Sequence, residues 1–134
     1  MHPLYPKADA VFTDALDACV EVLDTMGMGL LESVYAVCLE RELILRGHTV
    51  AKEKNVAYTY KGHTFSTNLR ADLLVDDCLV IELKSIEGEL SRVHQMQLLS
   101  YMKLLDYPLG LLANFGATER RRFKRLLLKG ANRA

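Results

Sequence analysis

One stretch constrains the fold of this 134-residue chain more than any other: Arg70-Ala-Asp-Leu-Leu-Val-Asp-Asp-Cys-Leu-Val-Ile-Glu-Leu-Lys84. Two apolar runs, 73–75 and 79–81, flank the turn-forming pair Asp76-Asp77, which is the pattern of a β-hairpin. The second run is apolar at every position until Glu82 and Lys84 interrupt it, so it predicts a central strand covered on both faces. Alternation along a strand puts Glu82 and Lys84 on one face. Asp72, out of phase with Ala71 and Leu73, leaves the apolar face of the first strand, and the hairpin is expected to set all three charges on one side of the sheet. Two unit charges about 4 Å apart interact by roughly 4 kcal/mol at an effective dielectric near 20. For two carboxylates that interaction is repulsive; a divalent cation reverses it and a lysine reduces it. The pattern is that of a metal site for hydrolysis. The plain alternative is a surface acid at Asp72 and a solvated Glu82–Lys84 pair. Against it stands the apolar strand, because central strands rarely carry charges without a partner.

Half of the residues are hydrophobic, which suits one compact domain over 1–134 with its own core. Seventeen basic residues balance seventeen acidic ones, so the average charge points to no polyanionic partner. The distribution is less even. Residues 118–134 hold seven Lys/Arg against one acid, a basic C-terminal segment able to meet phosphates. Cys19, Cys38 and Cys78 are odd in number and widely spaced, as expected of core residues in a reducing compartment rather than of disulfides or a zinc site. With no leader-like start and no span-length apolar run, a cytoplasmic protein with no membrane partner is the expectation.

Val11, Ala15, Cys19 and Val22 recur at helical spacing among acids, predicting a helix over 9–24 that the glycines of Met26-Gly27-Met28-Gly29 interrupt. A second helix is expected from about Leu30 to Arg46, ending at Gly47. From Thr49 the period becomes two. Val56, Tyr58 and Tyr60 alternate, Lys61-Gly62 turns, and Phe65 to Leu73 alternate again. With Leu79–Lys84 these make three consecutive antiparallel strands. Residues 90–106 return to helical period, Tyr107-Pro108 ends them, and 109–115 read as a buried strand. Residues 118–128 fit a helix or an edge strand equally. The order predicts a mixed α/β sheet (α+β) with helices packed against it. The run 126–128, all leucine, leaves room for a homodimer.

Three further groups can be placed by spacing. Gly29, Glu32 and Tyr35 lie three apart and are expected on one side of the second helix. His94, Gln97 and Tyr101 share a face of the later helix, and apolar Met96, Leu98 and Leu99 suggest that this helix is largely buried, so that Gln97 needs a partner. His94 alone reads as a surface or internally satisfied histidine, and Glu32 alone as a surface acid.

Together, Gly29-Leu-Leu-Glu32-Ser-Val-Tyr35, Asp72, Glu82-Leu-Lys84, Gln97-x-x-x-Tyr101 and Gly110-Leu-Leu-Ala-Asn114-Phe115 resemble the GxxExxY proteins of the PD-(D/E)XK nuclease superfamily, in the same order over roughly residues 9–116. The resemblance implies a restriction-endonuclease-like core. In it Asp72 and Glu82 look like metal-binding acids, Lys84 like the catalytic lysine, Glu32 like an extra acid from the first core helix, and Gln97 and Tyr101 like a QxxxY element. Ala71 stands where the superfamily's name has proline.

These readings converge on a Mg²⁺-dependent (or Mn²⁺-dependent) phosphodiester hydrolase acting on nucleic acid, DNA ahead of RNA. Asp72, Glu82 and the Leu83 carbonyl hold the ion, with Glu32 closing its shell. Lys84 orients water or stabilises developing charge. Gln97 and Tyr101 support the site. Arg70 flanks it, and Arg120, Arg121, Arg122, Lys124 and Arg125 meet phosphates without reading sequence. The rivals are a non-hydrolytic nucleic-acid-binding or regulatory module that keeps the same fold, and an interaction protein that self-associates.

Overall fold

A computed structural model describes residues 1–117 and 122–134. Arg120 and Arg121 of the expected phosphate-contacting set lie outside the described residues. Two helices come first, α1 (Tyr5–Met26) and α2 (Glu32–Leu45). Pro6 in the first turn of α1 suits a position whose N–H has no helical partner. Strands β1 (Val50–Asn55), β2 (Tyr58–Tyr60), β3 (His63–Phe65), β4 (Arg70–Val75) and β5 (Leu79–Lys84) follow, then α3 (Arg92–Leu105), β6 (Leu109–Asn114) and β7 (Phe123–Leu127).

The main sheet is mixed, in the order β1-β4-β5-β6-β7; among the described residues only β5 and β6 run parallel, joined across α3. β2 and β3 pair with each other as a separate ribbon. Of the three expected strands, 79–84 forms as β5, 65–73 divides between β3 and β4, and 56–60 supplies only β2, while the sheet partner of β4 is the unexpected β1. β1 gave no alternating signal because its Lys52, Glu53 and Lys54 are exposed at the sheet edge. The C-terminal element resolves as an edge strand. Leucines 126–128 do not form a free apolar face: Leu126 is buried, and Leu127 and Leu128 pack against the core.

Alternation sorts the core into two layers. Leu73, Val75, Leu79, Ile81, Leu109 and Leu111 meet α1 and α2, whereas Leu74, Val80 and Leu112 meet Leu98, Tyr101 and Met102 of α3. α3 lies very close to β6 at Gly110, where an added Cβ would stand 2.6 Å from Met102 Sδ. α3 is less buried than its sequence suggests. Val93 and Met96 are exposed, and the inward stripe is Leu98, Tyr101 and Met102, as expected of a helix lying on a sheet surface.

A charged cluster fastens α1 to the far end of the hairpin. Arg46 binds Asp14, Asp17 and Glu42, and His48 lies between Asp14 and Asp76, each ring nitrogen 2.5 Å from a carboxylate oxygen. Burial opposes charging of His48, but the bonds to Asp76 and Asp14 outweigh it and raise its pKa above the usual 6.5. The bond from His48 holds Asp14 below the usual carboxylate range. Burial would lift Asp76, yet His48 and Thr49 donate to it and lower it. The raised histidine contributes stability that is complete below about pH 6.5 and lost as pH rises through its folded pKa. The depressed acids contribute stability present above about pH 4 and lost as pH falls through their folded values. His48→Gln should therefore lower the melting temperature more at pH 5.5 than at pH 8.5, relative to wild type. Equal losses at the two pH values would show that the imidazolium adds nothing.

Candidate active site

β4 and β5 pair through Leu73↔Ile81, Leu74↔Val80 and Val75↔Leu79. Extending that register sets Asp72 opposite Glu82, and there side chains take over from the ladder. The Asp72 N–H donates to Glu82 Oε1 at 3.0 Å, and the Leu83 N–H donates to Asp72 Oδ2 at 2.8 Å. Each carboxylate thus satisfies a backbone donor of the opposite strand with one oxygen, and the two carboxyl groups also meet each other. Glu82 is only 3% exposed. Burial first, then the anionic Asp72, pushes its carboxyl up to about 8, against the pull of the Asp72 N–H and the Lys84 ammonium.

The shared face expected for the three charges does not form by simple alternation. Glu82 and Lys84 keep the phase of Val80, on the α3 side, whereas Asp72 lines a cavity on the α2 side. The phase of β4 changes at Asp72, with Ala71 joining the α3 layer. Opposite that step, β1 carries Glu53 at a φ of 53°, between the regular pairs Lys52↔Leu73 and Lys54↔Ala71. At this step the Asp72 carboxylate meets that of Glu82.

The cavity, about 540 Å³, is lined by Glu32, Ser33, Glu53, Asp72, Leu83 and Ser85 among others. Glu32 therefore opens onto the same space as Asp72. The described residues contain no group of three His, Cys, Asp or Glu side chains close enough to hold one metal ion. Glu53 is a cavity acid that sequence reasoning missed, since a charge on an exposed edge strand has no distinguishing signal.

Gly29 is not part of α2, contrary to expectation; it lies in the preceding linker with a φ of 89°, which suits glycine. Tyr35 is fully buried, stacked on Phe115 with ring centroids 4.3 Å apart. Its hydroxyl donates to the Gly27 carbonyl at 2.5 Å and accepts from the Leu30 N–H at 2.9 Å. The Gly29 N–H donates to the Phe115 carbonyl, and the Ser85 hydroxyl donates to the Leu30 carbonyl. Tyr35 is thus a pin for the linker that leads into Glu32.

Gln97 is exposed rather than buried, and its amide donates to the Tyr101 hydroxyl at 3.2 Å. Tyr101 is buried; desolvation, followed by the fields of Glu82 and Asp72, raises its pKa, although the Gln97 bond lowers it. His94 serves the helix end: its Nδ1 accepts from the Ser91 N–H at 3.1 Å. Arg92 is exposed in the first turn of α3.

The basic patch expected at the C-terminus is divided among different contacts. Arg125 donates to Tyr5 and Asp9 and lies over the Tyr5 and Phe12 rings, while Lys124, one residue away, takes the other face of β7. Arg122 donates to the Ala117 carbonyl. Arg70 is exposed at the start of β4, in a loose pair with Glu53 at 4.0 Å.

Asn114 carried no functional signal beyond its place in the resemblance, yet it organises the loop after Lys84. It is fully buried; its Oδ1 accepts from the Ile86 and Gly116 N–H groups, and its Nδ2 donates to the Ile86 and Gly88 carbonyls. Removing a partner from a buried polar group costs about 1–3 kcal/mol. Asn114→Ala should destabilise the protein by at least about 2 kcal/mol in urea unfolding, and a loss below half that would mean that water replaces the amide.

Beyond geometry, a family model of the PD-(D/E)XK nuclease superfamily matches residues 9–126. No curated protein and no solved structure matches the chain. The match extends over both helical layers and all five strands of the sheet, with the Asp72–Glu82 gap at its centre. The chain belongs to the PD-(D/E)XK nuclease superfamily.

Proposed function

We propose that the protein is a divalent-metal-dependent phosphodiesterase of nucleic acid, a single domain of the GxxExxY grouping, acting on DNA ahead of RNA. The observation that carries this reading is the reciprocal bonding of Asp72 and Glu82 across the parted strands, inside a nuclease-superfamily fold. Nucleases of this superfamily generally use divalent metal ions. The donor set fits such an ion: two adjoining carboxylates, one almost wholly buried against the charge of the other, form a site whose repulsion a hard cation relieves. When bound, the ion supplies Lewis-acid polarisation of a phosphoryl oxygen and a more acidic water.

In this reading Asp72 and Glu82 hold the ion together with the Leu83 carbonyl. The Lys84 ammonium, which already lowers the Glu82 pKa, donates to the negative charge that builds on the phosphoryl oxygens. Glu32 acts from across the cavity, orienting water rather than binding directly. The Tyr101 hydroxyl, backed by Gln97, stabilises the carboxylate pair and bounds the substrate side. Lys124 and Arg122 contact phosphates more weakly than a continuous patch would, and Arg125 holds α1 to the sheet instead.

Melting temperature near neutral pH should rise with Mg²⁺ or Mn²⁺, since the ion binds the folded protein. The rise should vanish in Asp72→Asn. Metal-dependent cleavage of plasmid or single-stranded DNA should be lost in Glu82→Gln and Lys84→Ala while both variants stay folded. Mg²⁺ stabilisation without cleavage of either substrate would instead favour a nucleic-acid-binding module that retains the nuclease fold. An equal melting response in wild type and Asp72→Asn would remove the metal site altogether.

A further inference from the structure

Between β1 and β4 the chain leaves the main sheet as the β2–β3 ribbon, and this excursion has a composition of its own. No residue from 54 to 71 is acidic, in a chain whose acids and bases balance overall. Lys54, Lys61 and Arg70 lie in the same segment. The pairs Tyr58↔Phe65 and Tyr60↔His63 place four rings on one face of the ribbon, and Thr59↔Thr64 occupies the other, hydroxyls 3.0 Å apart. Phe65 stacks on Tyr58 at 5.3 Å and meets the His63 ring at 4.6 Å. The Lys61 ammonium stands 5.4 Å from the centre of the Tyr60 ring. Tyr60 is 65% exposed and Phe65 36%.

Exposed rings interleaved with cations, on a segment with no acid of its own, suit one class of partner. Unpaired nucleotides stack their bases on aromatic faces while their phosphates meet cations. An acidic peptide would use the cations but has no need of a row of flat rings. A duplex keeps its base faces stacked on one another, out of reach of these rings.

The ribbon also adjoins the candidate active site. Arg70 pairs with Asn55 at its base, and Asp72 follows two residues later on the same strand. From Phe65 to Asp72 the chain spans at most roughly 25 Å. The loose Arg70–Glu53 pair is exposed on both sides, so a phosphate can replace Glu53 at little cost.

We propose that the β2–β3 ribbon is the strand-holding arm of this site: an unpaired nucleic-acid segment stacks on Tyr60 and Phe65, sets its phosphates on Lys61 and Arg70, and runs along β4 to Asp72. The assignment of Asp72 as the end of that path rests on the nuclease reading above.

Fluorescence anisotropy in EDTA, where metal-dependent cleavage is blocked, tests the arm. The probes are labelled oligothymidylate, oligouridylate, a duplex of equal length, and a strand of abasic sugars. Wild type should prefer the single strands to the duplex and to the abasic strand, and the two homopolymers separate DNA from RNA as the source of the strand. Tyr60→Ala and Lys61→Ala should each weaken single-strand binding about tenfold at unchanged melting temperature, and Tyr60→Phe should restore it. Wild-type affinity in the Tyr60→Ala/Lys61→Ala double variant, or equal binding of the abasic strand, overturns the proposal. The parent reading is scored separately, by Mg²⁺-dependent cleavage of the same strands and its loss in Glu82→Gln. Cleavage with ribbon-independent binding removes the arm alone. Ribbon-dependent binding without cleavage upholds the arm and removes the nuclease.

Discussion

The pairing between Asp72 and Glu82 decides where the ladder between the two central strands, β4 and β5, stops. A ladder carried one residue further would satisfy both backbones and leave two like charges side by side on a buried sheet. Instead each carboxylate accepts a backbone N–H from the opposite strand, so the strands part without leaving those donors orphaned. The arrangement keeps Glu82 nearly inaccessible to water at an electrostatic cost, visible in its carboxyl being pushed up to about 8. Buried groups held out of their ordinary protonation range mark places where function competes with stability.

Around that gap, the fold spends its polar side chains on holding loops. Tyr35 and Asn114 sit on different elements, yet both join chain segments distant in sequence: one ties the linker before α2 to the end of β6, and the other ties the loop after Lys84 to the same strand end. Phe115 and Gly116, next to Asn114, receive or make contacts with both. The end of β6 therefore acts as a common anchor for the segments carrying Glu32 and Lys84. At the opposite end of the sheet, His48 and Arg46 fasten α1 to the hairpin turn with charges rather than apolar contacts, which makes that corner sensitive to pH.

Charge is apportioned with the same economy. The C-terminal cations that look like one patch in the sequence are split by strand alternation, and Arg125 is drawn into packing on Tyr5 and Phe12. The acid-free β2–β3 ribbon, which holds fewer cations, keeps Lys61 and its rings exposed. Exposure, more than the number of basic residues, determines what a polyanion can reach.

The sequence by itself determined the order of most elements, the central position of β5 and the superfamily, because apolar runs, turn pairs and short motifs are local signals that survive without coordinates. It also indicated that Glu32 and Tyr101 lie near the site. It could not reveal β1, whose exposed charges carry no period, nor Glu53, which lines the cavity from that edge strand at a positive φ. It misjudged Gln97, since apolar neighbours on a helix do not say which of them face the sheet. It set three charges on one face by strict alternation, whereas the tertiary structure changes the phase of β4 at Asp72 and brings the carboxylates together through the gap. Alternation is a property of one strand; where two strands part, and which side chains then turn inward, depends on how the neighbouring strand twists.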